Sequence, residues 1–285
     1  MTGSNKIFIS EDLYYTVKRV KNRIIHIPCD ELKSKQRFFL NVIKWVYPYS
    51  IDILKVAQIH SGKKWILKMD IKSFYDSVPL PQIEKVVKSV CKRIGNDVSV
   101  IQSVNLVTLN GKLPTGAPTS AHIANACFKP IDREIFNVCR IYNVDFSRYV
   151  DDLTFSSYCK ETLNIIEKRV KNILKYYGYE VNNKKTKYIS DNKQQNVLGL
   201  VVNNYHVRLP KEFKRKIRAM LHNYAIRYGY LTQKESKHLI WNEHSDQQLA
   251  GYMAYIKQVD KTFYKQLKDY TTKLSLKYHA LFICI

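Results

Sequence analysis

No two cysteines in this chain stand at C-x-x-C spacing; the six, at positions 29, 91, 127, 139, 159 and 284, are scattered through 285 residues. That pattern suggests neither a zinc site nor a disulfide framework, and the cysteines read as reduced packing residues. The eight histidines show no metal-ligand spacing either. No uninterrupted apolar run approaches the roughly 20 residues needed to span a bilayer, and the opening MTGSNKIFISEDLYY lacks the apolar core of a secretion signal. A cytoplasmic protein with no membrane partner is the expectation. Internal repeats and low-complexity linkers are missing too, so the chain reads as one folded unit with lobes.

Acid is also scarce. Asp and Glu number 24 against 47 Lys and Arg, which leaves a formal net charge of +23. A field of that sign attracts polyanions, nucleic acid foremost. The apolar fraction of 45%, with 12% aromatics, is enough for a substantial core and excludes a disordered basic tail.

Along the chain, residues 11 to 27 begin helix-like and pass into KNRIIHIP, a strand stopped by Pro28. Leu32, Phe39, Leu40, Ile43 and Val46 then recur at helical spacing, with Asp30 as the N-cap candidate and Pro48 as the stop. WILKMD at 65–70 reads as a buried strand ending at an acidic turn. Helical patterns cover 81–92, 97–108 and 118–140, a hairpin covers 145–157, and another helix covers 159–177. Short strands with Asn-rich turns follow, then basic helices from 211 onward. This order predicts an α+β fold.

Three aspartates stand out in that layout. Asp70 follows WILKM, and the pair Asp151-Asp152 follows FSRYV, where two strands ought to turn. Adjacent carboxylates repel and raise each other's pKa unless a cation neutralises them. Mg²⁺ takes one or two carboxylates plus substrate phosphates, and two such ions serve in-line phosphoryl transfer. On the dipeptide alone a solvated hairpin turn is the competing reading, because Asp is common in turns.

The surrounding motifs decide between these. RYVDDLTFS resembles motif C of reverse transcriptases, LKMDIKSFYDSV resembles motif A, and LPTGAPTSAHIANACFKPID resembles motif B. GYEVNNKKTKYIS and NVLGLVVN resemble motifs D and E, and RIIHIPCDELKSKQRFFL is similar to the fingers segment of bacterial members. All stand in the family's order, and the C-terminal segment looks closest to retron and related phage-defence reverse transcriptases.

The resemblance implies a right-hand polymerase with fingers, an antiparallel palm and a short helical thumb, divided here as 1–203 and 204–285. It implies two Mg²⁺ ions, with Mn²⁺ as the alternative, held by Asp70 and Asp151, with Asp152 and the Ile71 carbonyl in support. Tyr75 matches the steric gate that excludes a 2′-hydroxyl. Thr115, where most relatives have Gln, stands with Gly116 and Ala117 in the nucleotide-binding loop. Lys185 matches the lysine that serves the pyrophosphate, with Lys184 an equal candidate. Arg208, Lys211, Lys214, Arg215 and Arg218 would face nucleic-acid phosphates, while Phe213, Ile217 and Met220 pack inward at i, i+4 and i+7.

The function implied is RNA-directed DNA synthesis from deoxynucleotides on a structured non-coding RNA that serves as template and is a candidate primer, in a retron or antiphage setting. An effector or toxin protein would be a separate partner. Two alternatives stay open: untemplated or protein-primed DNA synthesis on the same palm, and an RNA-binding scaffold. The intact aspartate set argues against the scaffold, because binding does not need those acids.

Overall fold

The computed structural model describes residues 6–10, 12–21, 23–95, 97–233 and 243–278, with side chains of 228–246 left aside; Cys284 lies outside the described residues. Two compact units divide the chain: residues 1–52 with 64–189, and residues 53–63 with 190–285.

The first unit opens with three antiparallel strands, β1 (Lys6–Phe8), β2 (Tyr14–Val20) and β3 (Arg23–Pro28), in that order. The helix-like start expected from residue 11 is therefore a strand. Tyr14, Tyr15, Thr16 and Val17 are aromatic and β-branched, a composition that suits a half-buried sheet better than a helix. Helix α1 (Asp30–Val46) follows, and its cap position is Cys29, not Asp30; Asp30 and Glu31 occupy the first turn, where carboxylates complement the helix dipole. Residues 53–59 form α2, which belongs to the second unit.

Strand β4 (Trp65–Asp70), helices α3 (Leu80–Ile94), α4 (Val100–Val107) and α5 (Ser120–Ile141), the hairpin β5 (Asp145–Tyr149) and β6 (Asp152–Ser157), helix α6 (Lys160–Tyr176) and strand β7 (Lys187–Ser190) complete the first unit. Its main sheet has the order β5-β6-β4-β7. The sheet packs on one core with α1, α3, α5 and α6, through Leu67, Met69, Phe155, Phe128, Ile166 and Val170 among others. Phe74, Phe128 and Tyr179 form a ring cluster in that core, with centroids 5.2–6.2 Å apart. Such pairs add about 0.5–1.5 kcal/mol each beyond their burial.

The second unit holds α2, the short hairpin β8 (Asn196–Val197) and β9 (Leu200–Val201), and helices α7 (Lys211–Gln233), α8 (Glu243–Val259) and α9 (Lys261–Tyr278). Ile217, Leu221, Leu249, Met253, Ile256, Phe263 and Leu267 are among its buried residues. Asp260 caps α9 by accepting the Phe263 N–H at 2.9 Å, and it pairs with Lys214 of α7 at 2.7 Å. Among the described residues no helix is long and apolar enough to cross a membrane.

Candidate active site

Strands β4 and β6 pair antiparallel with Asp70 directly opposite Asp152. Directly opposed like charges destabilise a sheet, so this register calls for a cation. The Ile71 N–H donates to the Asp151 carbonyl at 3.0 Å, which ties the third aspartate to the same strand end. Ile71 also bridges Val181, just before the turn that carries Lys185. Asp70 is 7% exposed. Asp152 is the more open residue, yet partial burial, then the charges of Asp151 and Asp70, hold its carboxyl above the usual range against Lys68 and Lys185.

Lys185 donates to Asp70 Oδ1 at 2.9 Å. Its turn is built for this: Asn182 N–H donates to the Asp70 carbonyl at 2.8 Å, and the Asn182 carbonyl accepts from the N–H groups of Lys185 and Thr186. Lys184 and Lys185 are both exposed, and it is Lys185 that reaches Asp70. With the Lys185 side chain 52% exposed the ion pair is weak, of the order of 0–1 kcal/mol. A stronger cation at Asp70 could displace it.

The turn that carries Asp151 is strained and clamped. Val150 has φ +57°, a left-handed conformation that a β-branched residue rarely takes, at a cost of about 1–3 kcal/mol. Arg148, whose side chain is 4% exposed, donates from Nη1 to the Val150 carbonyl at 2.8 Å and to Asn125 Oδ1 at 2.7 Å. Its Nε and Nη2 grip both oxygens of Asp132 at 2.7 and 2.6 Å, and its guanidinium lies 4.5 Å from the Phe128 ring centroid. A hydrogen bond from a charged donor is worth about 1.5–3 kcal/mol, enough to offset the strain at Val150.

Tyr75 is half-buried on the edge of the core. Its phenol is pushed up first by burial, then by the nearby charge of Asp151, and is lowered by Arg23 of β3. Gate candidate, the Asp151 turn and a basic residue of the first sheet thus share one electrostatic neighbourhood. The loop at 115–117 is held against β3, since the His26 N–H donates to the Thr115 carbonyl at 2.7 Å. Gly116 sits at φ +111°, and a Cβ there would stand 2.7 Å from the His26 carbonyl oxygen. The glycine expected to admit a nucleotide is therefore first required by the approach of β3. Ala117 is buried against Tyr15 and Leu32, which makes its methyl a packing group; Thr115 and Gly116 are the more accessible members.

The second unit holds the remaining candidates. Arg208, Lys211, Arg215 and Arg218 are exposed. Lys214 corrects the outward-facing expectation: it turns to Asp260, whose carboxyl it holds low, with the Phe263 N–H, against the upward push of burial. Ile217 is buried as expected, and Phe213 and Met220 are partly so.

Several residues escaped the sequence reading. Lys68 shares a strand face with Asp70 by the i, i+2 rule, which was a legible signal, and burial lowers its pKa despite the help of Asp152. Arg148, Asp132 and Asn125 needed the fold, although Asn125 and Asp132 are seven apart and so fall on one helix face. Among the described residues no three His, Cys, Asp or Glu side chains converge into a preformed metal cage. The donors still fit Mg²⁺, which takes one or two carboxylates and completes its shell with substrate phosphates and water.

Residues 16–202 match the family model described as reverse transcriptase (RNA-dependent DNA polymerase). The chain belongs to the reverse transcriptase family. It is 28% identical over 280 residues to the retron Ec86 reverse transcriptase of Escherichia coli, covering 93% of this chain and 81% of that protein. To the retron Se72 reverse transcriptase of Salmonella heidelberg it is 29% identical over 242 residues, covering 80% and 63%. A solved foamy viral protease-reverse transcriptase in complex with double-stranded DNA aligns with a TM-score of 0.51 at 14% identity, covering 97% of this chain and 45% of that one. The fold is thus the α+β right-hand polymerase fold, and this reverse transcriptase is an RNA-directed DNA polymerase, an enzyme that copies RNA into DNA.

Proposed function

We propose that this reverse transcriptase extends a primer by two-metal nucleotidyl transfer with Mg²⁺, on a structured non-coding RNA, in a retron-like or antiphage setting. The observation that carries the reading is the pairing of Asp70 with Asp152 across two strands, with Asp151 tied to the same strand end and Lys185 resting on Asp70. When bound, the two ions would neutralise the attacking and leaving oxygens of the in-line displacement.

The chain's own residues divide the remaining work. Asp70 and Asp151 would hold the ions, Asp152 would add charge, and the Ile71 carbonyl would supply a backbone ligand. Lys185, which rests on Asp70, would give the departing pyrophosphate a proton or balance its charge. Arg23, already close enough to act on Tyr75, meets the triphosphate from β3. The Tyr75 ring lies under the sugar and excludes a 2′-hydroxyl, and Thr115 and Gly116 line the nucleotide. Arg208, Lys211, Arg215 and Arg218 carry phosphates of the duplex on a basic C-terminal thumb, with fingers and palm over residues 1–203. An effector protein would come from a separate chain.

The test is primer extension on an RNA template with the Asp151→Asn variant. The substitution removes charge and almost no volume, so folding and RNA binding should stay near wild type while Mg²⁺-dependent incorporation disappears. Incorporation at the wild-type rate would sink the metal assignment.

A further inference from the structure

Helix α5 serves two faces. Asn125 and Asp132 hold Arg148 beneath the catalytic turn, while Ala126, Lys129 and Arg133 on the adjoining face line a cavity of about 470 Å³. Gln82 and Lys85 of α3 line it as well, together with Tyr47 and Tyr177. All of these residues belong to the first unit. A volume of that size suits a small organic group.

Its lining has an unusual chemical balance. Lys85, Lys129 and Arg133 are exposed at their tips, and none has a carboxylate partner among the described residues. Glu134, next to Arg133 in sequence, is engaged with the Tyr177 hydroxyl. Tyr176 adds an edge-on contact at 5.1 Å. Polar groups suited to a base edge are present as well. Pro130 sits inside α5 and has no N–H to give the carbonyl of Ala126 four residues earlier, and both residues line the cavity. Gln82 accepts from Tyr179 through Oε1 at 3.4 Å, leaving its amide N–H groups free to donate.

We propose that this cavity binds an unpaired nucleotide of the enzyme's RNA. The base lies against the Tyr47 or Tyr177 ring, the Ala126 carbonyl and the Gln82 amide read its edge, and the flanking phosphates rest on Lys85, Lys129 and Arg133. Single-stranded RNA is recognised in this way, by splayed bases stacked on aromatic rings beside a cationic track. A protein partner with an acidic helix would answer the charge but would leave the donor and acceptor pair without a role. The proposal rests on the chain being an RNA-handling polymerase and is independent of the metal assignment.

The test uses the full chain and a labelled single-stranded RNA of about a dozen nucleotides, within the span of such sites, beside DNA of the same sequence. Ultraviolet crosslinking followed by peptide mass spectrometry should find adducts on the peptides carrying Tyr47 or Tyr177. Lys129→Ala with Arg133→Ala removes two exposed cations without touching the core, and it should lower the salt dependence of RNA binding by about 1.4 in logarithmic slope. Tyr177→Ala should weaken binding about 5- to 150-fold, the value of one stacked base, and Tyr177→Phe should restore it. Extension of a pre-annealed primer at saturating template should remain unchanged in the double-alanine variant. Wild-type RNA binding by that variant, or adducts confined to other peptides, would overturn the cavity assignment while leaving the polymerase intact. DNA crosslinking there as strongly as RNA would overturn the assignment to RNA, and failure of the wild-type chain to bind any RNA would overturn both this proposal and the reading it rests on.

Discussion

The fold makes Asp152 easier to protonate than a free aspartate. Burial, Asp151 and Asp70 raise its pKa above that of an unfolded aspartate, so the folded state binds the proton more tightly than the unfolded one. By linkage, its contribution is most favourable at pH below the ordinary aspartate range and is lost as pH rises through the raised value. Metal-free wild-type protein should therefore lose stability relative to Asp152→Asn over that interval, and a divalent cation should recover it. Parallel thermal melts of the two proteins across pH, with and without Mg²⁺, check this. A constant difference between them would mean that the three carboxylates do not interact.

Arg148 shows how far single residues were legible. The aspartates announced themselves because RYVDD is contiguous, whereas the partners of Arg148 lie 16 and 23 positions away in sequence and meet it only through the β5–α5 packing. Arg148→Lys keeps a charge but cannot grip both Asp132 oxygens while reaching Asn125 and Val150. Losing the charged bond that holds Val150 should cost about 1.5–3 kcal/mol of turn positioning, read as a kcat about 10- to 150-fold lower, with little change in the KM for deoxynucleotide. A kcat at the wild-type level in a folded Arg148→Lys variant would reduce Arg148 to a structural brace.

Helices and the catalytic hairpin were readable as elements because their periodicity is strong: α3, α5 and α6 lie within a few residues of their expected bounds. In the N-terminal sheet β3 was readable as KNRIIHIP, but β1 and β2 were not, since they are stabilised by pairing with their neighbours and a window of sequence carries no sign of the partner. The cap of α1 shifted by one residue for the same kind of reason, a boundary set by local geometry more than by residue type. The meeting of β3 with the 115–117 loop is another property of paired elements that only the fold reveals. There, Gly116→Ala would place a Cβ 2.7 Å from the His26 carbonyl and force a left-handed conformation on alanine. The conformation alone costs about 1–2 kcal/mol, and the backbone contact adds to it. The melting temperature should fall by about 4 °C or more, with a raised KM for deoxynucleotide as the loop withdraws from β3. An unchanged melting temperature would show that the loop and β3 are not held together in solution.

The charge of the chain was legible from composition, but its division into units was not. Residues 53–63 belong with residues 190–285, and Gly62 donates its N–H to the Val202 carbonyl at 3.0 Å, a contact across 140 positions of sequence. A net charge of +23 predicts tight binding to any polyanion, and phosphate contacts alone carry no sequence information. Specificity for one RNA must come from its shape and from unpaired bases, and the two contributions respond differently to salt. If roughly 6–10 phosphates are neutralised, raising salt from about 50 to 200 mM should cost on the order of 10³–10⁵ in affinity for random RNA. An RNA recognised by shape should outlast the others through such a wash. Sequencing the retained RNA, then the DNA made on adding deoxynucleotides and Mg²⁺, separates the readings. DNA complementary to one retained RNA supports templated synthesis of the retron kind. Repetitive DNA matching no retained RNA points to untemplated synthesis on the same palm, and a random RNA mixture with no incorporation on any template would defeat the proposed function.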